Sequence, residues 1–326
     1  MGVTIENVAK AAGVSTATVS NVLNGRRNVG EKTRERVLAL CAEMGYQLPE
    51  GRVGRARLNK TILFNMSEFD RQFYLKIIHG ISDYVYSRGY DLIVCTSRSG
   101  ERFMKPSVTC GCVTLDMNCS TEMLARKASA EYPIVVMDRV MDKPWIKSLV
   151  VNNYDSMSEL AQGLVDRGYR RFAFLGGLET DDTSERLQAV QHVLAKNHLR
   201  LINENYLVGD FKEKSGYQAA RLLILSESHP DVLVCANDNM AIGAIKAFRE
   251  SRLRVPEDIA VTGFDDSPVS EMMGLTTVAI PNYERGYLAA QFLLRMISGI
   301  EDAGPFKVAA KVKWRNTVLA KRESLR

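Results

Sequence analysis

The sequence predicts a small all-α helix-turn-helix head followed by an α/β body of two doubly wound lobes. Three observations carry that prediction. In the first 45 residues, apolar positions recur at helical spacing in three short blocks. From Thr61 onward, short apolar runs alternate with amphipathic stretches, the pattern of strands spaced by helices. The chain has 326 residues, and the part after residue 60 is long for one open sheet when a domain averages ~150 residues.

In the first block Ile5, Val8, Ala9 and Ala12 fall at i, i+3, i+4 and i+7, with Thr4 as N-cap and Gly13 as stop. In the second, Ser15 can cap while Val19, Val22 and Leu23 face inward. The third, 34–44, offers Val37, Leu38, Cys41 and Met44 as its buried row. Helix, short Gly-containing turn, helix is a helix-turn-helix pattern. Residues 47–60 read as a linker, with Pro49, Gly51 and Gly54 among basic residues. Strands are expected at 62–64, 91–95, 112–115, 134–137, 149–151, 172–175, 232–235 and 259–262. Helices are expected at 73–88, 123–131, 154–167, 184–196, 215–225, 240–250 and 283–297. Between the second and third strands, 96–109 contains Ser97, Ser99, Gly100 and Pro106, leaving room for little more than a turn or two of helix.

Hydrophobic residues make up 46% and charged residues 25%, so a large core is available. No stretch approaches the ~18 apolar residues a membrane helix needs, and no secretory signal is expected. The net charge of +5 is unevenly placed. Residues 1–60 hold ten Lys or Arg against five Asp or Glu, and the remainder is balanced at 33 against 33. A basic module on a neutral body suggests a polyanionic partner for the module, against the plainer reading of a solvated basic tail. Six cysteines sit mostly in apolar runs. Cys110 and Cys112 fall at period two, where one strand face would bury both. Buried free thiols in a reducing compartment fit better than a metal site, and no metal is expected.

On the second helix Thr16, Ala17, Asn21 and Asn24 point away from the core. Small neutral side chains of this kind suit close approach to base edges in a major groove. Ser15, Thr18 and Ser20, with Lys32, Thr33 and Arg34 of the third helix, can donate to phosphates, and Thr4 joins the same set. An ordinary helical cap is the alternative. The stretches Thr4-Ile5-Glu6-Asn7-Val8-Ala9, Ala12-Gly13-Val14-Ser15, Thr18-Val19-Ser20 and Val22-Leu23-Asn24 closely resemble the DNA-binding domain of the LacI/GalR (lactose-repressor) family. The resemblance continues through Val136-Met137-Asp138-Arg139, Arg186-Leu187, Gly209-Asp210-Phe211, Asn237-Asp238, Arg254-Val255-Pro256-Glu257-Asp258-Ile259, Gly263-Phe264-Asp265-Asp266 and Leu275-Thr276-Thr277 with Pro281.

The resemblance implies a cytoplasmic, nucleoid-associated transcription regulator without cofactor or enzymatic activity. Two heads of a homodimer would read a near-palindromic DNA operator. The body would be like a periplasmic sugar-binding protein, holding a small, sugar-like effector between lobes. By that analogy the head is 1–46, the hinge 47–60 and the effector domain 61–326. Lobe 1 would run over about 61–153 and 280–307, and lobe 2 over 154–279 and 308–326. The chain ends at Arg326 without a leucine-rich heptad tail, so dimers rather than tetramers are expected.

Two departures from the family stand out. Many members carry arginine where this chain has Asn21, so a shift from guanine toward adenine is expected at that half-site position. In the hinge, Pro49 comes one residue late after Tyr46, which puts Ala56 or Arg55 in the slot of the family's wedging leucine. The expectation is a hinge that grips phosphates through Arg52, Arg55 and Arg57, with weak or shifted wedging by Leu58.

Doubly wound folds bind ligands beyond the carboxyl ends of their strands. The candidates there are Phe73, Tyr74, Arg139, Arg186, Phe211, Asn237, Asp238 and Asp265, with Asp266 beside them. Carboxylates and arginines suit a ring of hydroxyls, and aromatic rings suit an apolar sugar face. Against this, a strand-end Asp is as often a helix cap, Phe73 and Tyr74 could be core, and Arg186 could be a surface ion pair. Among rival readings, an enzyme is disfavoured because His79, His192, His198 and His229 sit in no nucleophile, metal or phosphate motif. Gly176-Gly177 is too short for a dinucleotide fingerprint. An exported sugar-binding protein would lack the basic head. A family regulator governed by a partner protein instead of a small molecule stays open.

Overall fold

Helix α1 (Ile5–Ala12) begins where its capping chemistry dictates. The Thr4 hydroxyl accepts from the Asn7 N–H at 3.4 Å, Asn7 Oδ1 accepts from the Thr4 N–H at 2.8 Å, and Gly13 closes the helix at φ 64°. Ser15 Oγ accepts from the Thr18 N–H at 3.0 Å at the start of α2 (Thr16–Leu23). Val8, Ala9, Ala12, Val19, Val22, Val37 and Cys41 form one small core with α3 (Glu31–Glu43). Two expectations are corrected here. α3 starts at Glu31, not residue 34, and Leu38 is 47% exposed. The row packed on the core is Val37, Leu40, Cys41 and Met44, the true i, i+3, i+4, i+7 set; Leu38 lies about 100° round from Val37.

The computed structural model describes residues 3–23, 29–46, 60–68, 73–202, 205–226, 229–300 and 304–321. Asn24, Arg52, Arg55, Arg57 and Leu58 lie outside the described residues.

The body contains two six-stranded sheets. The first comprises β1 (Thr61–Met66), β2 (Asp91–Thr96), β3 (Gly111–Leu115), β4 (Ile134–Val136), β5 (Ile146–Val151) and β11 (Phe306–Val308), ordered β11-β5-β4-β3-β1-β2 and parallel throughout. The second comprises β6 (Phe172–Gly176), β7 (Tyr206–Val208), β8 (Val232–Cys235), β9 (Ala260–Asp265), β10 (Thr276–Ala279) and β12 (Lys311–Lys313), ordered β12-β10-β9-β8-β6-β7. Only β12 runs antiparallel, against β10. Central strands such as β6 and β8 are buried along their whole length, because helices cover both faces. Strands β10, β11 and β12, of three or four residues, were not anticipated, and the strand expected to end at Phe211 is β7, which stops at Val208.

The helices of the body are α4 (Phe73–Ser87), α5 (Ser97–Phe103), α6 (Thr121–Lys127), α7 (Asn153–Asp166), α8 (Asp181–Lys196), α9 (Glu213–Leu225), α10 (Asp238–Glu250), α11 (Pro268–Met272) and α12 (Asn282–Ile297). The 96–109 connection therefore holds a short helix, with Gly100 so close to Asn65 that a Cβ would strike its amide oxygen. Each lobe locks one helix pair through reciprocal glycines. A Cβ at Gly80 of α4 would strike the Tyr283 carbonyl of α12, and one at Gly286 would strike the Ile77 carbonyl. In the second lobe Gly216 of α9 meets the Met240 carbonyl of α10, and Gly243 meets that of Glu213.

The chain passes between sheets three times, side by side. Val151 pairs with Val308 in the first sheet, and Ala279 pairs with Lys311 in the second. All six cysteines are unpaired. Cys112 is buried on β3, but Cys110 is only half-buried and precedes the strand, its thiol donating to the Thr61 carbonyl at 3.4 Å. Among the described residues no helix is long and apolar enough to cross a membrane.

Candidate functional site

Strands of both sheets end facing one cavity of about 630 Å³. It is lined by the segments that follow strand carboxyl ends: Ser67 after β1, Met117 and Asn118 after β3, Asp138 and Arg139 after β4. From the second sheet come Leu178 to Asp182 after β6, Phe211 after β7, Asn237 after β8 and Asp265 at the end of β9. This is the crevice in which doubly wound sheets hold ligands.

On one wall, Phe73 and Tyr74 open α4 with ring centroids 4.4 Å apart. Tyr74 is buried and its hydroxyl lies 3.4 Å from the Leu115 carbonyl. Phe211 stands on the other side with φ 67°, against Gly177, where any Cβ would run into its ring. Gly177 thus makes room for the Phe211 ring on the cavity wall.

Two of the cavity's arginines stand beside acids, Arg139 beside Asp138 and Arg186 beside Asp182. Arg139 grips Asp138 through Nη2 (2.7 Å) and Nε (3.1 Å), and donates to the Asp116 carbonyl at 3.1 Å. Burial pushes the Asp138 carboxyl up, and its bonds to Arg139 offset that only in part. Asp116 anchors the loop behind. Its carboxylate accepts from Asn65 Nδ2 (2.8 Å), Ser97 Oγ (2.8 Å) and the Asn118 N–H (3.0 Å). Burial would raise that carboxyl, but these bonds hold it below the usual range.

Arg186 is no surface ion pair. It is buried, its Nε donates to Asn153 Oδ1 at 2.9 Å and its Nη1 to the Ala236 carbonyl at 2.6 Å. The guanidinium stacks 3.6 Å from the Phe264 ring centroid, and Asp182 lies 3.8 Å from Nη2. Asn237 reaches the cavity while capping α10, with Oδ1 accepting from the Met240 N–H at 3.1 Å and Nδ2 donating to the Phe211 carbonyl at 3.0 Å. Asp265 takes φ 124°, a conformation L residues rarely adopt.

Asp238 is the correction in this set. It is buried away from the cavity and accepts from Ser267 N–H (2.8 Å), Ser270 Oγ (2.6 Å) and Thr277 Oγ1 (2.6 Å). Burial lifts its carboxyl to about 6. It ties α11 and β10 to the start of α10. Asp266 likewise pairs with Arg315 at 2.7 Å instead of facing the cavity.

Sequence reasoning missed Asp138, Asp182, Asn282 and Arg285 among the lining residues. Asp182 went unnoticed because the helix was expected to begin at 184; Thr180, which caps it by accepting from the Thr183 N–H, was the available signal. Arg285 shares the buried face of α12 with Gly286, Ala289 and Leu293, and a charge on an apolar face was its signal. Burial pulls its guanidinium down to about 10.

In the head, Thr16 and Ala17 are exposed on α2 and Asn21 is half-buried. Ser15 and Thr18 share a 2.9 Å hydroxyl contact at its start, and Thr18 and Ser20 are half-buried. Lys32, Thr33 and Arg34 occupy the first turn of α3, and Thr4 is exposed at the start of α1.

Residues 4–48 match the model of bacterial regulatory proteins of the lacI family, and residues 161–324 match that of a periplasmic binding protein-like domain. The HTH-type transcriptional repressor PurR of Photobacterium profundum is 30% identical over 312 residues, covering 90% of this chain and 92% of its own length. PurR of Aliivibrio fischeri (strain MJ11) is 30% identical over 331 residues, covering 97% and 98%. Among solved structures, the transcriptional regulator CelR–cellobiose complex superposes with a TM-score of 0.72 at 28% identity, covering 97% of this chain and 100% of that one. The lac repressor dimer bound to operator and the anti-inducer ONPF gives 0.74 at 27% identity, covering 98% and 100%. The chain belongs to the lacI family of bacterial regulatory proteins, DNA-binding transcriptional repressors with a helix-turn-helix head and a periplasmic-binding-protein-like body.

Proposed function

We propose that two copies of this chain read a near-palindromic operator through paired heads, and that a sugar-like effector in the interlobe cavity sets their affinity for it. The reading assigns 1–46 to the head, 47–60 to the hinge and 61–326 to the cytoplasmic effector-binding and dimerisation domain. The observation that carries it is the cavity, where aromatic walls and acid–arginine pairs from both sheets converge. Aromatic faces suit the apolar side of a sugar ring, and charged pairs suit its hydroxyls. The full-length likeness to a cellobiose-bound regulator and to an operator-bound dimer supports both halves.

The test is a thermal-shift screen of the full chain against mono- and disaccharides, sugar phosphates, polyols and nucleosides. A ligand at 100 times its Kd adds about 2.7 kcal/mol, well within detection. The hit should alter operator affinity, and Phe211→Ala or Asp265→Asn should abolish that response while leaving binding of the effector-free protein to DNA intact. A blank screen overturns the small-molecule reading in favour of control by a partner protein. For the head, Asn21→Arg should move the preferred base at one half-site position from adenine to guanine. An unchanged preference removes Asn21 from base reading.

A further inference from the structure

Three arginines line the cavity, and one of them differs in kind. Arg139 is clamped to Asp138 at 2.7 Å, and Arg186 has Asp182 at 3.8 Å. Arg285 is 4% exposed, yet among the described residues no carboxylate lies within ion-pair distance of it. Its Nη1 donates to Asn282 Oδ1 at 3.1 Å and its Nη2 to the Met137 carbonyl at 2.9 Å, both neutral acceptors. Its Nε is buried and has no hydrogen-bond partner among the described residues. A guanidinium presents five N–H donors, so most of its donor capacity is unused. A buried cation with unused donors is a cost the fold carries until an acceptor arrives.

The surroundings say what kind of acceptor. Asp265, Asp182 and Asp138 line the same cavity as Arg285. Across the whole lining, five carboxylates outnumber three guanidiniums. A phosphate or carboxylate group would satisfy Arg285 but meet the repulsion of that excess. A hydroxyl both donates and accepts, so it can take a bond from a guanidinium while giving one to a carboxylate.

We propose that Arg285 reads an oxygen of the effector, accepting it as a hydroxyl shared with Asp265, so that the cleft takes an uncharged polyhydroxylated ligand and rejects its phosphorylated or oxidised, acidic form. This rests on the effector reading above and specifies its chemistry.

The test uses the full chain and isothermal titration with glucose, galactose, cellobiose and maltose. Each is compared with a charged counterpart: glucose 6-phosphate, galactose 1-phosphate, gluconate, cellobionate and maltobionate. A neutral sugar should bind about a hundredfold more tightly than its charged counterpart. Arg285→Met should weaken that sugar about tenfold, with Arg285→Lys in between. Single-deoxy versions of the sugar separate recognition from mere wall-building. One of them should lose about tenfold on the native protein and nothing further on Arg285→Met. If that variant fails to fold, the same cycle is run on Arg285→Lys.

Tighter binding of the charged forms overturns the proposal. So does native affinity in Arg285→Met, or an equal loss for every deoxy sugar; each of these leaves the effector reading standing. The panel is extended by any neutral hit of the thermal-shift screen and its acidic form; a blank in both the screen and the panel overturns the effector reading and this proposal together.

Discussion

Asp231 shows how much one side chain can be asked to hold. It accepts the backbone N–H groups of Arg170 and Arg171 at 3.1 and 3.0 Å, and ion-pairs with Arg171 (2.9 Å) and Lys321 (2.7 Å). Burial alone would raise its carboxyl, but these partners bring it down to about 2. The depressed value means the contribution is full above the unfolded pKa of ~3.9 and fades as pH falls from there toward about 2. Because Arg171 and Lys321 are largely exposed, screening reduces the benefit to about 1–2 kcal/mol. Asp231→Asn should therefore lower stability by that amount at pH 7, and the gap to the native protein should narrow below pH ~4 in urea melts. At Gly177 the argument is steric. Alanine there would push the Phe211 ring out of its place, and titration calorimetry should show the sugar response lost while the head still binds DNA. Residue by residue, Phe73, Tyr74, Phe211, Arg139 and Arg186 were legible because their chemistry, next to expected strand ends, names their use, whereas Arg285 lay inside a helix with no strand end to mark it. Asp238 was not, because its three partners, Ser267, Ser270 and Thr277, lie far along the chain and only the fold brings them to it.

At the scale of elements, what the sequence states locally survives folding. Thr4, Gly13 and Ser15 mark the ends of α1 and α2 because capping is decided within a few residues. The short strands β7 and β12 carry only half-exposed or exposed residues and β11 buries only Val308, so no apolar run announced them; pairing with neighbouring strands makes them strands. The first turn of α3 was missed because Gly30 offers no side-chain cap. The reciprocal glycine contacts were invisible for the same reason as Asp238: each needs a backbone from a different helix. They are also the least forgiving positions. Gly216→Ala forces α9 off the Met240 carbonyl and should cost about 3 kcal/mol or more. The loss should appear as a lowered melting temperature in the absence of any ligand.

At the scale of the molecule, charge divides the chain more sharply than composition does. The excess of basic residues is confined to residues 1–60, and the body is neutral. Affinity for an operator should therefore fall steeply with salt. With 6–10 phosphates contacted, about 10³–10⁵ is lost between 50 and 200 mM. A shallow slope would mean that the basic stretch does not reach the backbone of DNA.

The three passages of chain between the sheets have a kinematic meaning. A single tether would let one lobe slide, twist and tilt against the other. Three tethers tied edge to edge, through Val151 with Val308 and Ala279 with Lys311, leave rotation about their common line as the soft motion. The interior of each lobe, pinned at its glycine contacts, cannot absorb that rotation by yielding. The proposed effector would therefore act on one coordinate, the opening angle between the two sheets.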